Sequence, residues 1–408
     1  MQPSKTLSST CCIAGGGPAG LMLGFLLARS GVDVIVLEKH ADFLRDFRGD
    51  TIHPSTMEVL HELGLLDAFL ALPHQKVPRL SANFSGTTLQ LVDFSNLSTH
   101  AKFIAMMPQW DFLDFLAREG ARLSGFRLMM NADARTLIET DGNVTGVRAV
   151  TADGALDIAA DLVVAAAGRG STLRAAAGLA VEDYGAPMDV MWFRLSRLPD
   201  DTAETQGRFV AGRIFVMLNR GDYWQCAFVI GKGLDQRVRG EGLDAFRRSV
   251  GAVLPFPDNG RTQDITDWDH VKLLTVQVNR MPRWWRPGFL CIGDAAHAMS
   301  PVAGVGVNLA VQDAVAAANA LVEPLRSNTL SNDDLARVQK RREWPTRITQ
   351  RIQLAIQNNI IAPALASRGT LAPPLLMRMM TSIPGLKALP ARFIGLGIRR
   401  EHVQTKAG

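Results

Sequence analysis

Apolar residues cluster at both ends of the chain and alternate in its middle. The run Cys11–Ala14 is too short for a helix and ends in glycines, which predicts a buried strand. Gly20–Ser30 is apolar on almost every side and predicts a buried helix that Gly31 ends; Val32–Leu37 then reads as a second strand, closing on Glu38. Leu162–Ala166 and Gly288–Asp294 read as further buried strands, the second leading through Pro301–Asn308 into a long Ala-rich helix. Between them, Pro78–Phe94 and Asp189–Gly231 alternate apolar with polar residues, broken by Gly, Asn and Asp, and predict antiparallel strands. That alternation offers Met191, Phe193, Gln225 and Phe228 as pocket residues, although a period of two leaves the inward face open and core packing is the simpler role. From about Leu354 the chain is apolar with scattered Arg and Lys, and Pro363, Pro373, Pro374, Pro384 and Pro390 restrict it to short helices.

The first strand, turn, helix and second strand form one unit. Its turn reads Gly15-Gly16-Gly17-Pro18-Ala19-Gly20, with Glu38 about 20 residues beyond, which is the dinucleotide-binding fingerprint in its full context. Gly15 permits the tight turn, Gly17 lets backbone approach a pyrophosphate, and Gly20 allows helix and strand to pack closely. The helix start around Pro18 and Ala19 offers unpaired N–H groups to an anion, Pro18 itself having none to give. Glu38, with Lys39 beside it, is expected to meet the adenosine ribose.

Composition narrows the reading less. With 408 residues, the chain has room for two domains or for one with a large insertion. A net charge of +5, without a basic stripe or interleaved aromatics, argues against nucleic acid and suits an anionic cofactor. The four cysteines lie in apolar runs without CxxC spacing, so reduced core thiols are expected and no metal site. A polar N-terminus and the lack of a long apolar span suggest a cytoplasmic protein.

The fingerprint alone does not separate a nicotinamide dehydrogenase from a flavoprotein. Gly293-Asp294-Ala295-Ala296-His297, followed by Pro301, Gly304, Gly306, Val307 and Asn308 at the start of a helix, does. These residues resemble the GD motif and flavin-contact loop of the para-hydroxybenzoate hydroxylase family, the single-component FAD-dependent aromatic monooxygenases. The resemblance covers roughly Cys11–Arg342. It implies an α/β fold: a Rossmann-like FAD-binding domain, an inserted mixed or antiparallel substrate sheet and a helical C-terminal region. The segments expected are 1–77, 101–184 and 281–350 for FAD, 78–100 and 185–280 for substrate, and 351–408 for the helical end. Asp294 is expected at the ribityl chain, and the Gly304–Asn308 turn at the flavin ring. Arg48 falls where the family has an arginine for the ribityl and pyrophosphate, and Gln109 where it has a cofactor-binding glutamine; a surface ion pair and a helix-start residue are the plainer readings. His297 supports the loop, with general-base duty the weaker alternative.

The implied activity is hydroxylation of an aromatic or conjugated small molecule with O2 and NADPH or NADH, through a C4a-hydroperoxyflavin. Epoxidation or Baeyer–Villiger insertion is the alternative on the same scaffold. One position departs from the family: Ala167, before Gly168, Ser171 and Arg174, stands where an aspartate is expected. That departure keeps open a flavin-binding protein with impaired turnover. Trp284-Trp285 either stacks on a ligand or covers the entry to a buried strand. The C-terminal region serves as a lid or membrane contact in one reading, and packs on the body or on a homodimer partner in the simpler one.

Overall fold

In this computed structural model, residues 5–44, 50–202, 205–383 and 386–408 are described. Strand Lys5–Ala14 lies at the centre of the larger sheet, parallel to Gly154–Ala165 on one side and Val34–Leu37 on the other. Phe289–Cys291 and Phe126–Met129 extend this parallel core outward. Residues 162–165 of the strand beside it are completely buried, as are Cys11, Cys12 and Ile13, because helices cover both faces of a parallel sheet. The helix Pro18–Arg29 is buried continuously from Ala19 to Ala28 and packs against Gly306–Arg326. On its other side Gly24 lets this helix lie close on the sheet, since a methyl there would sit 2.7 Å from Val36 Cγ2 in the second strand. The Rossmann-like expectation is met. Among the described residues one helical stretch, Val302–Arg326, is long and apolar enough to cross a bilayer, and 83% of its apolar window is buried in this core.

The second sheet has seven strands, in the order Lys272–Leu274, Met188–Ser196, Tyr223–Gly231, Arg213–Asn219, Gln206–Val210, Arg79–Phe84 and Thr87–Asp93. All neighbours are antiparallel except Gln206–Val210 with Arg79–Phe84, so the sheet is mixed. One face carries Met191, Phe193, Phe215 and Phe228 against Phe246 and Val250 of the helix Leu243–Gly251. The other turns Val190, Trp192, Val216, Ala227 and Val229 toward the interior of the molecule.

At the C-terminal end the expected break between 350 and 351 falls inside a helix. Asn332–Ile356 continues through a π-helical turn, Gln357–Ile361, into Ala362–Ala366. No proline interrupts it there: Pro345 lies well inside, and Pro363 occupies a starting position of the last segment. Short helices follow at Leu375–Ser382 and Ala388–Leu396.

Candidate active site

The glycine turn is built from contacts that only glycine tolerates. Gly15 has φ +120°, and a methyl on it would lie 2.6 Å from the Ala166 carbonyl carbon and oxygen. One on Gly20 would lie 1.9 Å from the Gly15 oxygen. Gly17 differs, because its Cβ would meet nothing of the protein nearer than Ala166 O at 4.0 Å. It faces a cavity. The helix that follows has Pro18 at its first position and no side chain capping its start, so its leading N–H groups are available to a ligand. Glu38, buried at 8% exposure, accepts from the N–H of Gly16 at 3.0 Å and of His40 at 3.0 Å, which locks the turn to the end of the second strand.

The cavity measures about 2350 Å³ and runs from this turn, past Asp294 and the Pro301–Val307 loop, to the inward face of the second sheet. A typical small-molecule pocket holds about 300–1,000 Å³, so there is room here for a dinucleotide and a second ligand. The loop at its middle is strained, with Ala303 at φ +66° and Gly304 at φ +62°. Three glutamines on one face of the Asn332–Ile361 helix hold the loop's start and the segment that leads into it. Gln353 Nε2 donates to the Ser300 and Val302 carbonyls, both at 3.0 Å, and its Oε1 accepts from Ser300 N–H at 3.2 Å. Gln357 donates to Ser300 Oγ at 2.6 Å, and Gln350 to Asn279 O at 2.7 Å and Ala298 O at 3.0 Å. From the opposite side Thr51 Oγ1 donates to Gly304 O at 2.9 Å.

Below the loop sits a buried ionic hub. Asp313, fully buried, accepts from Gly293 N–H at 3.0 Å, His297 Nε2 at 2.6 Å and Arg342 Nε at 2.9 Å. Burial pushes the Asp313 carboxyl up, yet His297 and Arg342 outweigh it and hold the group below its ordinary value. Arg342 in turn donates to Arg399 O at 3.1 Å and Glu401 Oε1 at 3.2 Å. Thus the backbone of the Gly293 turn is connected through charge to the C-terminal segment.

Residues 8–351 match the FAD binding domain family. The chain belongs to this family. It is 30% identical over 355 residues to the 6-methylpretetramide 4-monooxygenase of Streptomyces rimosus, covering 86% of this chain and 84% of that one. The fold resembles p-nitrophenol 4-monooxygenase PnpA of Pseudomonas putida, with TM-score 0.77 at 19% identity, covering 97% and 100% of the two chains. It also resembles PqsL of P. aeruginosa in complex with 2-aminobenzoylacetate, with TM-score 0.74 at 21% identity and coverage of 88% and 98%. The protein is an FAD-dependent monooxygenase.

Within the monooxygenase, Gly15, Gly17, Pro18, Ala19, Glu38, Lys39, Gln109, Gly168, Asp294, Pro301, Gly304, Gly306 and Val307 all line the one cavity. Gly20 serves packing instead. Arg48 lies outside the described residues. Asn308 does not present its side chain to the cavity; its Oδ1 accepts from His53 N–H at 3.1 Å and Thr56 Oγ1 at 2.6 Å, capping the helix Pro54–Glu62. Met191, Phe193 and Phe228 lie on the far face of the second sheet, packed around Phe246. Both faces of these strands are apolar, so the alternation left the choice to the helix Leu243–Gly251, which covers one of them. Gln225 is on the inward face but braces rather than lines: its Oε1 accepts from Arg220 Nε at 2.9 Å. Arg220 lies 2.6 Å from Asp50, a cavity-lining carboxylate. Burial raises the Asp50 pKa and outweighs the opposing pull of Arg220.

His297 is 1% exposed and engaged with Asp313, as the loop-supporting reading expects. Trp284 is fully buried 5.0 Å from the His297 ring, and Trp285 begins the strand that pairs with Phe289–Cys291, so the tryptophan pair covers a strand entry. All four cysteines are free and buried; Cys12 and Cys291 are pushed up to about 12 by burial. Ala167 lines the cavity, and the turn around it is kept by Arg174, which donates to Ala295 O at 2.9 Å and Arg169 O at 2.8 Å. The residues that motif reading missed are Thr51, Trp192, Asp313 and the glutamines. Only the last left a signal, since Gln350, Gln353 and Gln357 recur at helical spacing.

Proposed function

We propose that this monooxygenase hydroxylates an aromatic or conjugated small molecule, using O2 and a transient NADPH or NADH. The observation that carries the proposal is the single cavity joining the Gly15–Pro18 turn, the Pro301–Val307 loop and the Val190, Trp192, Ala227, Val229 wall. The residues present fit FAD: the space beside Gly17 and the uncapped helix start suit its pyrophosphate, Asp294 its ribityl hydroxyls, and the start of Gly306–Arg326 the electron-rich edge of its ring. When bound, the flavin would take up electrons from the nicotinamide and activate O2 for transfer to the substrate.

What the chain does is position and shield. The strained loop, clamped by Gln353 and Thr51, defines the floor on which a flavin ring would rest. The inward face of the second sheet presents Val190, Trp192, Val216, Ala227 and Val229, none of which ionises, and so excludes water from the reacting atoms. An acceptor there is held by shape and stacking, which favours an electron-rich ring over a substrate needing a protein base. p-Nitrophenol and 2-aminobenzoylacetate, named for two relatives of this fold, each contain a benzene ring.

The experiment is anaerobic. Flavin absorbance is followed after addition of NADPH or NADH, with and without a panel of phenols and larger fused-ring phenols. The expected result is bleaching that a ring compound accelerates, followed in air by its hydroxylated product; bound flavin that neither nicotinamide reduces under any of these conditions would refute the proposal. Trp192→Ala supplies a second check. Loss of the largest flat side chain on the wall is expected to raise KM for the accepted substrate on the order of tenfold. Hydrogen peroxide should increase per NAD(P)H consumed, whereas unchanged KM and coupling would remove Trp192 from the substrate chamber.

A further inference from the structure

The segment that closes the far end of the cavity carries an unusual outer surface. Leu375 is 70% exposed, Met379 46%, Ile383 43% and Leu389 50%, a concentration of large apolar side chains in water within fifteen positions. The helix Leu375–Ser382 is apolar on two faces at once: Met377 and Met380 turn inward to line the cavity, while Leu375 and Met379 point away from it. A helix covered on one side only exposes area that a partner ordinarily covers.

Within the C-terminal segment itself the charge is almost all of one sign. Residues 351–408 contain eight Lys or Arg and a single acid, Glu401. Glu401 is already held by Arg341 at 2.7 Å and Arg342 at 3.2 Å, well inside the structure. Arg368, Arg378, Lys387 and Arg392 are exposed, and none pairs with an acid among the described residues. Exposed apolar side chains within a rim of unpaired cations are the composition of an interfacial helix, which places its apolar side among acyl chains and its cations among anionic headgroups.

We propose that the surface formed by Leu375, Met379 and Ile383, with Arg378 and Lys387, docks on the face of an anionic phospholipid bilayer. Docking brings the cavity wall formed by Met377, Met380 and Pro390 against the membrane, so an apolar substrate dissolved in lipid enters without crossing water. This delivery role rests on the reading of the chamber given above; the docking itself does not, and the test reads docking alone.

The full-length holoenzyme is sedimented with vesicles of phosphatidylglycerol and phosphatidylcholine in equal parts, and with vesicles of phosphatidylcholine only. The protein is expected to pellet with the first and remain in solution with the second, and added salt should release it. Leu375→Asp with Met379→Asp should lower vesicle partition on the order of tenfold. Arg378→Gln with Lys387→Gln should weaken binding only where phosphatidylglycerol is present. Bound-flavin absorbance should be unchanged in both, which shows that they fold. Wild-type protein that stays in solution with both vesicle types overturns the proposal, as does a Leu375/Met379 variant that pellets like wild type. A wild-type dimer that this variant converts to monomer, without vesicle binding, assigns the surface to a second copy of the chain and overturns it too.

Discussion

Gly15→Ala is expected to strip the protein of FAD, whereas Gly17→Ala should weaken FAD while leaving the fold intact. A methyl on Gly15 would lie 2.6 Å from the Ala166 carbonyl and at φ +120°, where an L side chain is itself strained. Backbone that is hydrogen-bonded into the central sheet must move, since Ala166 N–H donates to Ala14 O at 2.8 Å and Gly15 N–H to Leu37 O at 2.8 Å. Strain of this kind costs about 1–3 kcal/mol before the clash is added, so FAD affinity should fall on the order of 100-fold, together with thermal stability. The methyl on Gly17 would meet only Ala166 O at 4.0 Å and would otherwise enter the cavity. Its cost should therefore appear in FAD affinity alone. Titration of apoprotein with FAD and thermal unfolding of both apoproteins check the pair; equal apoprotein stability in the two variants would show that the turn is not held as described.

Asp313→Ala is expected to be the most destabilising single change at the site. It leaves Arg342, 1% exposed in its side chain, without its closest buried carboxylate, and it frees the Gly293 N–H and His297 Nε2. Removing one partner of a buried pair costs about 3–5 kcal/mol, because the remaining charge stays desolvated. Asp313→Leu combined with Arg342→Met should be less damaging than the single change, since no charge is left stranded and Glu401 keeps Arg341. Urea unfolding of the apoproteins measures both. A double variant no better than Asp313→Ala would mean that shape, and not charge, dominates there. The pH dependence has a definite sign. The folded pKa of Asp313 lies below its unfolded value near 3.8, so its contribution is complete above that value. It is lost as pH falls from about 3.8 through the lowered folded value. Asp50 is shifted the other way, so its ionisation subtracts stability as pH rises from about 3.8 toward its raised value.

The parts legible in the sequence are those whose physics is local. A turn that admits only glycine, a strand too apolar to lie at a surface and a helix start without a capping side chain each follow from a few adjacent residues. For this reason the Gly15–Gly20 turn, the Gly293–Asp294 turn and the Pro301–Val307 loop could be assigned to one site before any distance was known. The family resemblance rested on the same short segments. Asn308 shows where local reading stops: its place after Gly306 and Val307 marked it for the flavin, but the partners that its side chain accepts from, His53 and Thr56, are about 250 positions away.

The sequence by itself determined that this chain makes a dinucleotide cradle and a flavin-type loop, because glycine conformations and apolar runs are properties of neighbours in the chain. Only the tertiary structure decided which face of the second sheet meets the cavity. Val190 and Trp192 are as apolar as Met191 and Phe193, and the helix Leu243–Gly251 buries the latter set. It alone revealed that Gln353 and Thr51 hold one strained loop from two sides, and that Asp313 joins that region to Arg342 and the C-terminal segment. Such contacts link groups tens to hundreds of residues apart, and a pattern with a period of two or 3.6 contains no information about which distant surface will cover it.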